Sequence, residues 1–173
     1  RELRAMGTMV LCYNVCIELS EVLWKGLLRK QFNTQSDYMS YMATFSQYVG
    51  VVALLLQLFA STIIRELGWK GSAMITPISM VLLAIPFFVS VYLGPERGVS
   101  LATALSIGTL QNIASKVTKY SLFDPCKEMA YIPLGPEAKV KGKAAVDVLG
   151  ARLGRSIGSA SQQLMVFLIG QGS

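Results

Sequence analysis

The chain has 173 residues and a net charge of +6, with 53% hydrophobic but only 15% charged residues. Soluble domains of this length carry about a quarter charged residues, so the composition indicates a membrane protein. The chain has no histidine, and its three cysteines contain no CxxC pair, so we predict no catalytic residues, no metal and no cofactor. The basic residues lie in gaps between apolar segments, which is typical of membrane proteins and does not predict nucleic-acid binding.

The first predicted helix, residues 5–24, contains polar side chains within an apolar segment. Asn14, Glu18, Glu21 and Lys25 follow the spacing i, i+4, i+7, i+11 and therefore share one narrow helix face. An ionisable side chain in hydrocarbon costs about 2.5 kcal/mol or more, so we predict that this face lines a wet cavity. Glu21 and Lys25 also suit a helix-end salt bridge, with Lys25 reaching the membrane interface, which is the structural alternative.

Two further helices are predicted over 38–64 and 71–93, joined by a short turn at 65–70. The segment 71–93 has 23 residues without a charge, enough to cross a hydrocarbon core of about 30 Å. Pro77 and Pro86 lie inside it and are expected to form tolerated kinks.

A tight turn at 94–98 precedes a fourth predicted helix over 99–119. Near its end, Asn112, Ser115 or Lys116, and Lys119 share a face that would suit a phosphate chain. The alternative is an ordinary basic helix end at the interface, and composition alone favours this alternative.

A polar segment, 120–143, follows and is expected to be a loop. Asp124 and Pro125 form a helix-start signal, which predicts a short interfacial helix near 125–131. Residues 139–143 are interpreted as a lysine-rich anchoring loop.

A fifth helix is predicted from residue 144 onward. Gly150, Gly154 and Gly158 recur every four residues, a spacing that lets two membrane helices touch backbone to backbone. Arg152 and Arg155 lie among these glycines, and an arginine beside a glycine stripe could also meet a phosphate closely. Lysine and arginine are more frequent on the side that bears the N-terminus, which predicts that this side faces the cytoplasm or stroma.

Several long motifs resemble the ATP/ADP translocases, the nucleotide transporters of plastids and of obligate intracellular bacteria. They are KYSLFDPCKEMAYIPL (119–134), KVKGKAAVDV (139–148), LQNIASK (110–116), GWKGSAMITP (68–77) and ELSEVLWK (18–25). The resemblance implies an all-α, polytopic transmembrane helix bundle, similar to one half of a major facilitator superfamily transporter. Residues 1–173 would be a fragment of its C-terminal six-helix half, with about five helices, and 120–143 a cytoplasmic or stromal loop.

The resemblance further implies a transporter, not an enzyme, that exchanges ATP for ADP by alternating access without hydrolysis. Alternatives are a carrier of other nucleotides coupled to phosphate or protons, and a helical membrane scaffold that transports nothing. The implied partners are ATP, ADP, the lipid bilayer and the N-terminal half of the same transporter, without nucleic acid. The implied location is the plastid inner envelope, with a bacterial inner membrane as the alternative.

Two family motifs point to individual residues. The glutamate of an E-V-x-W-K pattern falls on Glu21, and the lysine of an L-G-K-S-G-G pattern falls on Arg155. Here the second motif reads LGRSIG, so the charge is kept while Ile157 replaces a glycine. The expected transport residues are Glu21, Arg155, Asn14, Lys25, Asn112, Lys116 and Lys119.

Overall fold

The computed structural model describes residues 2–94, 97–133, 135–144, 148, 152–154, 156–157, 159–160 and 163. Regular structure in these ranges is helical throughout, with no strand, so the all-α prediction is confirmed. The chain divides into two units: unit 1 comprises Arg1–Val22 and Ala130–Ser173, and unit 2 comprises Leu23–Met129.

Helix α1, Glu2–Gln31, contains the predicted helix and extends beyond both of its ends. Its last turn carries Arg29 and Lys30, whose charges suit the negative end of the helix dipole. Its buried positions recur every three or four residues, as expected for one packed face. These positions are Val10, Tyr13, Ile17, Ser20, Trp24 and Leu28. Each residue of the predicted polar stripe directly follows one of them, so the stripe flanks the packed face and is half-buried.

Helix α2, Gln35–Leu93, is interrupted at one residue only, Gly68, with φ 70° and ψ 170°. We call its two parts α2a (35–67) and α2b (69–93). The prediction of a six-residue turn at 65–70 was therefore wrong, because a single glycine absorbs the whole change of direction. That backbone conformation is accessible essentially to glycine alone. Across the break, the Ser72 hydroxyl donates to the Ile63 carbonyl at 3.4 Å.

The surface of α2 is strongly apolar. Among the described residues, it is the one helix whose length and hydropathy would allow it to cross a membrane. Only 22% of its most apolar 18-residue stretch is buried. Large apolar side chains are exposed on both sides of Gly68, including Leu54, Leu58, Leu82 and Tyr92. Pro77 and Pro86 lie within the helix, and the kinks expected at them stay a prediction.

Helix α3, Leu101–Thr118, begins after a turn closed by a hydrogen bond from Val99 N to Gly94 O at 3.1 Å. The Ser100 hydroxyl caps α3 by accepting from Thr103 N at 3.1 Å. The chain then continues without a break through a π-helical turn, Lys119–Phe123, into α4, Asp124–Ala130. The predicted helix 99–119 and the short helix near 125–131 are thus both present, but as parts of one continuous helical segment.

Helix α5, Pro136–Ala144, occupies the stretch that was expected to be a lysine-rich loop, so that prediction was wrong. Proline fits the first helical position, where an amide N–H would have no intrahelical partner, and Lys139 N donates to Gly135 O at 2.8 Å. The placement of 120–143 on one side of a membrane stays a prediction. Residues 152–154, 156–157, 159–160 and 163 are also helical.

The core of unit 2 is aromatic. The rings of Trp24 and Phe45 lie 4.6 Å apart, and Phe87 packs into the same cluster. Trp24 Nε1 donates to Thr109 Oγ1 at 3.0 Å, and the Tyr41 hydroxyl lies 2.7 Å from the same oxygen. One threonine on α3 therefore joins α1, α2a and α3.

Candidate functional site

The predicted residue Asn112 lies in a buried polar row on α3. Gln111, Asn112 and Ser115 have no exposed surface. Asn112 Nδ2 donates to Gly108 O at 2.9 Å and to Gln111 Oε1 at 3.1 Å, while Gln111 Nε2 donates to Ser115 Oγ at 3.4 Å. Within the described ranges Asn112 Oδ1 has no hydrogen-bond partner. The structure thus places this side chain inside the packing of unit 2, and its role in transport stays a prediction.

Lys116, one turn further along α3, is half-buried against an aromatic ring. Its Nζ atom lies 5.5 Å from the ring centroid of Phe45 on α2a. This distance allows a cation–π interaction, which stabilises the charge where water is partly excluded. Lys116 therefore presents its charge between α3 and α2a.

Lys119 belongs to a three-residue charge cluster that includes two residues not predicted for the site. Lys119 Nζ lies 3.5 Å from Asp124 Oδ2, and Lys127 Nζ lies 3.7 Å from Asp124 Oδ1. The three side chains are 26%, 33% and 13% exposed, in the order Lys119, Asp124, Lys127. From the sequence, Asp124 was interpreted only as part of a helix-start signal. Its pairing with Lys119 depends on the π-helical turn, which no sequence pattern predicted.

The helical segment that contains the π-helical turn is tied to both parts of α2. The Ser121 hydroxyl donates to Ala53 O at 2.9 Å on α2a. On α2b, the Thr76 hydroxyl donates to Thr118 O at 3.2 Å, and Trp69 Nε1 donates to Cys126 O at 2.8 Å. These bonds fix the helical segment that carries the charge cluster against α2a and α2b, the two helices that meet at Gly68.

Cys126 lies at the centre of this segment and is buried. Burial raises the pKa of the Cys126 thiol above its ordinary value, because the low-dielectric surroundings disfavour the thiolate. The thiol is thus neutral at physiological pH and acts as a packed side chain.

In unit 1, Asn14 lies against Gly154, the described glycine of the motif. A Cβ atom added at Gly154 would lie 2.8 Å from Asn14 Cβ and 3.5 Å from the Asn14 carbonyl carbon. Only a glycine at position 154 permits this approach, and the predicted backbone contact along the whole glycine stripe stays a prediction. Gly150, Gly158 and Arg155 lie outside the described residues, so the predicted position of Arg155 in the site remains a prediction.

Glu21 and Lys25 are half-buried on α1, beside the packed face. A half-buried position suits side chains that line a polar cavity, but it suits a helix-end pair equally well. Their role in transport stays a prediction.

A polar cavity of about 260 Å³ lies at the connection between α1 and α2. It is lined by Arg29, Phe32, Asn33, Thr34, Gln35 and Tyr38. These lining residues include none of those predicted for transport.

Comparison with known proteins identifies the family. The sequence model of the TLC ATP/ADP transporter family matches residues 1–173. This chain belongs to that family. It is 44% identical over 175 residues to ADP,ATP carrier protein 1 of Chlamydia muridarum, covering 95% of this chain and 33% of the relative.

Further relatives come from a second bacterial genus and from a plant. The chain is 40% identical over 178 residues to ADP,ATP carrier protein 4 of Rickettsia felis, covering 98% of this chain and 35% of the relative. It is 42% identical over 176 residues to the plastidic ATP/ADP-transporter of Solanum tuberosum, covering 97% and 28%. The chain thus spans about a third of the length of these curated relatives. No solved structure matches the chain significantly.

Proposed function

We propose that this chain is part of a membrane transporter that exchanges ATP for ADP without hydrolysis. Membership of the TLC ATP/ADP transporter family carries the proposal, and relatives named as ADP,ATP carriers and as a plastidic ATP/ADP-transporter support it. The long, apolar and largely exposed surface of α2 supports a location in a membrane. A plastid envelope or a bacterial membrane fits the sources of the relatives.

In this proposal the chain contributes most of one six-helix half, similar in fold to half of a major facilitator superfamily transporter. The N-terminal half would complete the site, and the two halves would rock around it to give alternating access. Arg155 would contact phosphate groups, with Lys116 and Lys119 adding positive charge. Within unit 1, the contact between Asn14 and Gly154 supports a shared role for Asn14 and Arg155, because Gly154 directly precedes Arg155 in the sequence.

Glu21 would balance the charge of the empty site. A cation lining a cavity in the membrane is costly without a counter-charge, so Glu21 would pair with a site cation whenever no nucleotide is bound. Strict exchange follows if the empty carrier reorients slowly. Lys25, at the end of the same stripe, would add positive charge to the site. Asn112 would support the conformation of α3 through its buried hydrogen bonds.

Nucleotide uptake by the full-length transporter in liposomes tests the proposal. Labelled ADP should enter vesicles loaded with ATP or ADP and should not enter empty vesicles or vesicles loaded with adenosine. A non-hydrolysable ATP analogue inside should support the same uptake, since no hydrolysis is involved.

Equal uptake into loaded and empty vesicles would contradict exchange. Uptake of other nucleotides that depends on phosphate or on a proton gradient would favour the coupled-carrier alternative. No uptake of any nucleotide by a correctly inserted protein would favour a scaffold.

A further inference from the structure

The charge cluster formed by Lys119, Asp124 and Lys127 has a geometry that an ordinary surface ion pair lacks. Two ammonium groups approach different oxygens of one carboxylate, at 3.5 and 3.7 Å. These separations are at or beyond the normal hydrogen-bond range, so neither contact is tight. Both lysine side chains are more buried than the carboxylate they share.

The π-helical turn produces this convergence. In an α-helix, residues five positions apart point in different directions, and contacts form between positions three or four apart. Here the turn Lys119–Phe123 widens the helix, and Asp124 N donates to Lys119 O. Lys119 therefore lies within reach of Asp124, while Lys127 reaches the same carboxylate from one turn later. Single π-helical turns are uncommon and are found frequently at functional sites.

The surrounding hydrogen bonds hold the cluster in place. Ser121 anchors the π-helical turn to α2a, and Trp69 bonds to Cys126 O, between Asp124 and Lys127. These bonds fix the backbone that carries Lys119 and Lys127, so the two ammonium groups can bind one anion that has two or more oxygens. A phosphate group has such oxygens and carries more negative charge than a carboxylate.

We propose that Lys119 and Lys127 form a phosphate-binding site that Asp124 occupies when no phosphate is bound. Asp124 is then an internal competitor that keeps the two ammonium groups together and is displaced by the ligand. The ligand is a phosphoryl group, supplied either by a nucleotide phosphate chain or by free inorganic phosphate. This inference rests on the proposed function for the nucleotide but not for inorganic phosphate.

Binding measurements on the purified full-length transporter test the site, with ATP, inorganic phosphate and adenosine as separate probes. Lys119→Gln and Lys127→Gln should each weaken the binding of ATP or of phosphate about five- to tenfold, allowing for partial exposure. Neither variant should change the binding of adenosine. Asp124→Asn should tighten the same phosphate-bearing probe about two- to fivefold, because the competing carboxylate is gone.

The exposed pair Arg65 and Glu66 supplies matched controls. Their side chains lie 3.5 Å apart at 76% and 69% exposure. Arg65→Gln and Glu66→Gln make the same changes of charge as the test variants, and they should leave the binding of all three probes unchanged. Thermal unfolding on the same preparations shows whether each variant is folded, and Lys127→Arg replaces Lys127→Gln if the latter is not.

The sign of the Asp124→Asn effect separates a ligand site from a structural ion cluster. If Asp124→Asn lowers the unfolding midpoint and leaves or weakens phosphate binding, the cluster is structural and the proposal is overturned. Unchanged ATP and phosphate binding in both lysine variants overturns it as well. If phosphate binds through the lysines while ATP does not bind at all, the site stands and the proposed nucleotide exchange fails. If ATP is exchanged but ignores both lysines, only the site fails.

Discussion

Replacing Gly108 with alanine would place a methyl group where two aromatic rings already meet. The new Cβ would lie 2.5 Å from Phe87 Cε2 and 2.9 Å from Trp24 Cδ1, and neither residue has any exposed surface. Contacts this short force the rings or the helix to shift, and overpacking of a core costs about 1–3 kcal/mol. Alanine favours a helix by about 1 kcal/mol over glycine. The difference leaves a net loss of about 0–2 kcal/mol in the free energy of unfolding, and we expect a value towards the upper end because buried rings yield little.

Thermal unfolding of the purified protein in detergent measures this loss. Gly26→Ala is the control, because it lies on α1 close to Trp24 and its Cβ would meet no atom within 4 Å. This control should unfold at or slightly above the wild-type midpoint. Phe87→Leu in the Gly108→Ala background should cost less than the two single changes added together, because the two sites are in contact. A Gly108→Ala protein as stable as the Gly26→Ala protein would refute the packing described for α1, α2b and α3.

Four further predictions concern charge, backbone and a thiol. Glu21→Gln should reduce exchange in vesicles while membrane yield is unchanged, and wild-type rates would exclude its balancing role. Arg155→Ala should weaken ATP and ADP competition far more than adenosine binding, and Arg155→Lys should restore much of it; lowered yield with unchanged affinity would indicate a membrane anchor instead. Gly68→Ala should lower the unfolding midpoint by backbone strain worth about 1–3 kcal/mol, since its Cβ would touch nothing; an unchanged midpoint would contradict the positive φ. Because burial raises the pKa of Cys126, its alkylation by a maleimide should be slow at neutral pH and should still accelerate above the ordinary thiol pKa; rapid labelling at pH 7 would contradict its burial.

Helix positions could be predicted from the sequence wherever an apolar run was long enough to require burial or a membrane. The break in α2 was located correctly, but its length was not. The charges at 65–70 resemble a loop, whereas backbone hydrogen bonding continues up to the one residue that can adopt a positive φ. Likewise, the lysines of α5 suggested a loop, although Gly135 and Pro136 form a helix-start signal. Short charged helices have no apolar periodicity to distinguish them from loops.

The candidate site was only partly predictable, because many of its contacts join residues distant in sequence. The glycine spacing predicted a close approach of two helices, and the sequence did not identify Asn14 as the partner of Gly154. Asn112 was predicted to share a face with lysines, yet helical periodicity does not distinguish a cavity from the interior of a bundle. The π-helical turn is stabilised by bonds such as the hydrogen bond from the Ser121 hydroxyl to Ala53 O, 68 positions away. Because such a contact is not local, the local sequence does not predict the turn.

The hydroxyl of Thr109 has a single proton, and the structure determines where that proton goes. It is donated to Leu105 O at 2.8 Å, so Thr109 Oγ1 can only accept from its other two neighbours. Trp24 is necessarily a donor, and Tyr41 must therefore donate as well. Side chains of α1 and α2a thus both donate a hydrogen bond to Thr109 Oγ1 on α3. Sliding either helix past α3 would break the hydrogen bond between that helix and Thr109. Trp24, Tyr41 and Thr109 consequently join three helices of unit 2 at one oxygen atom.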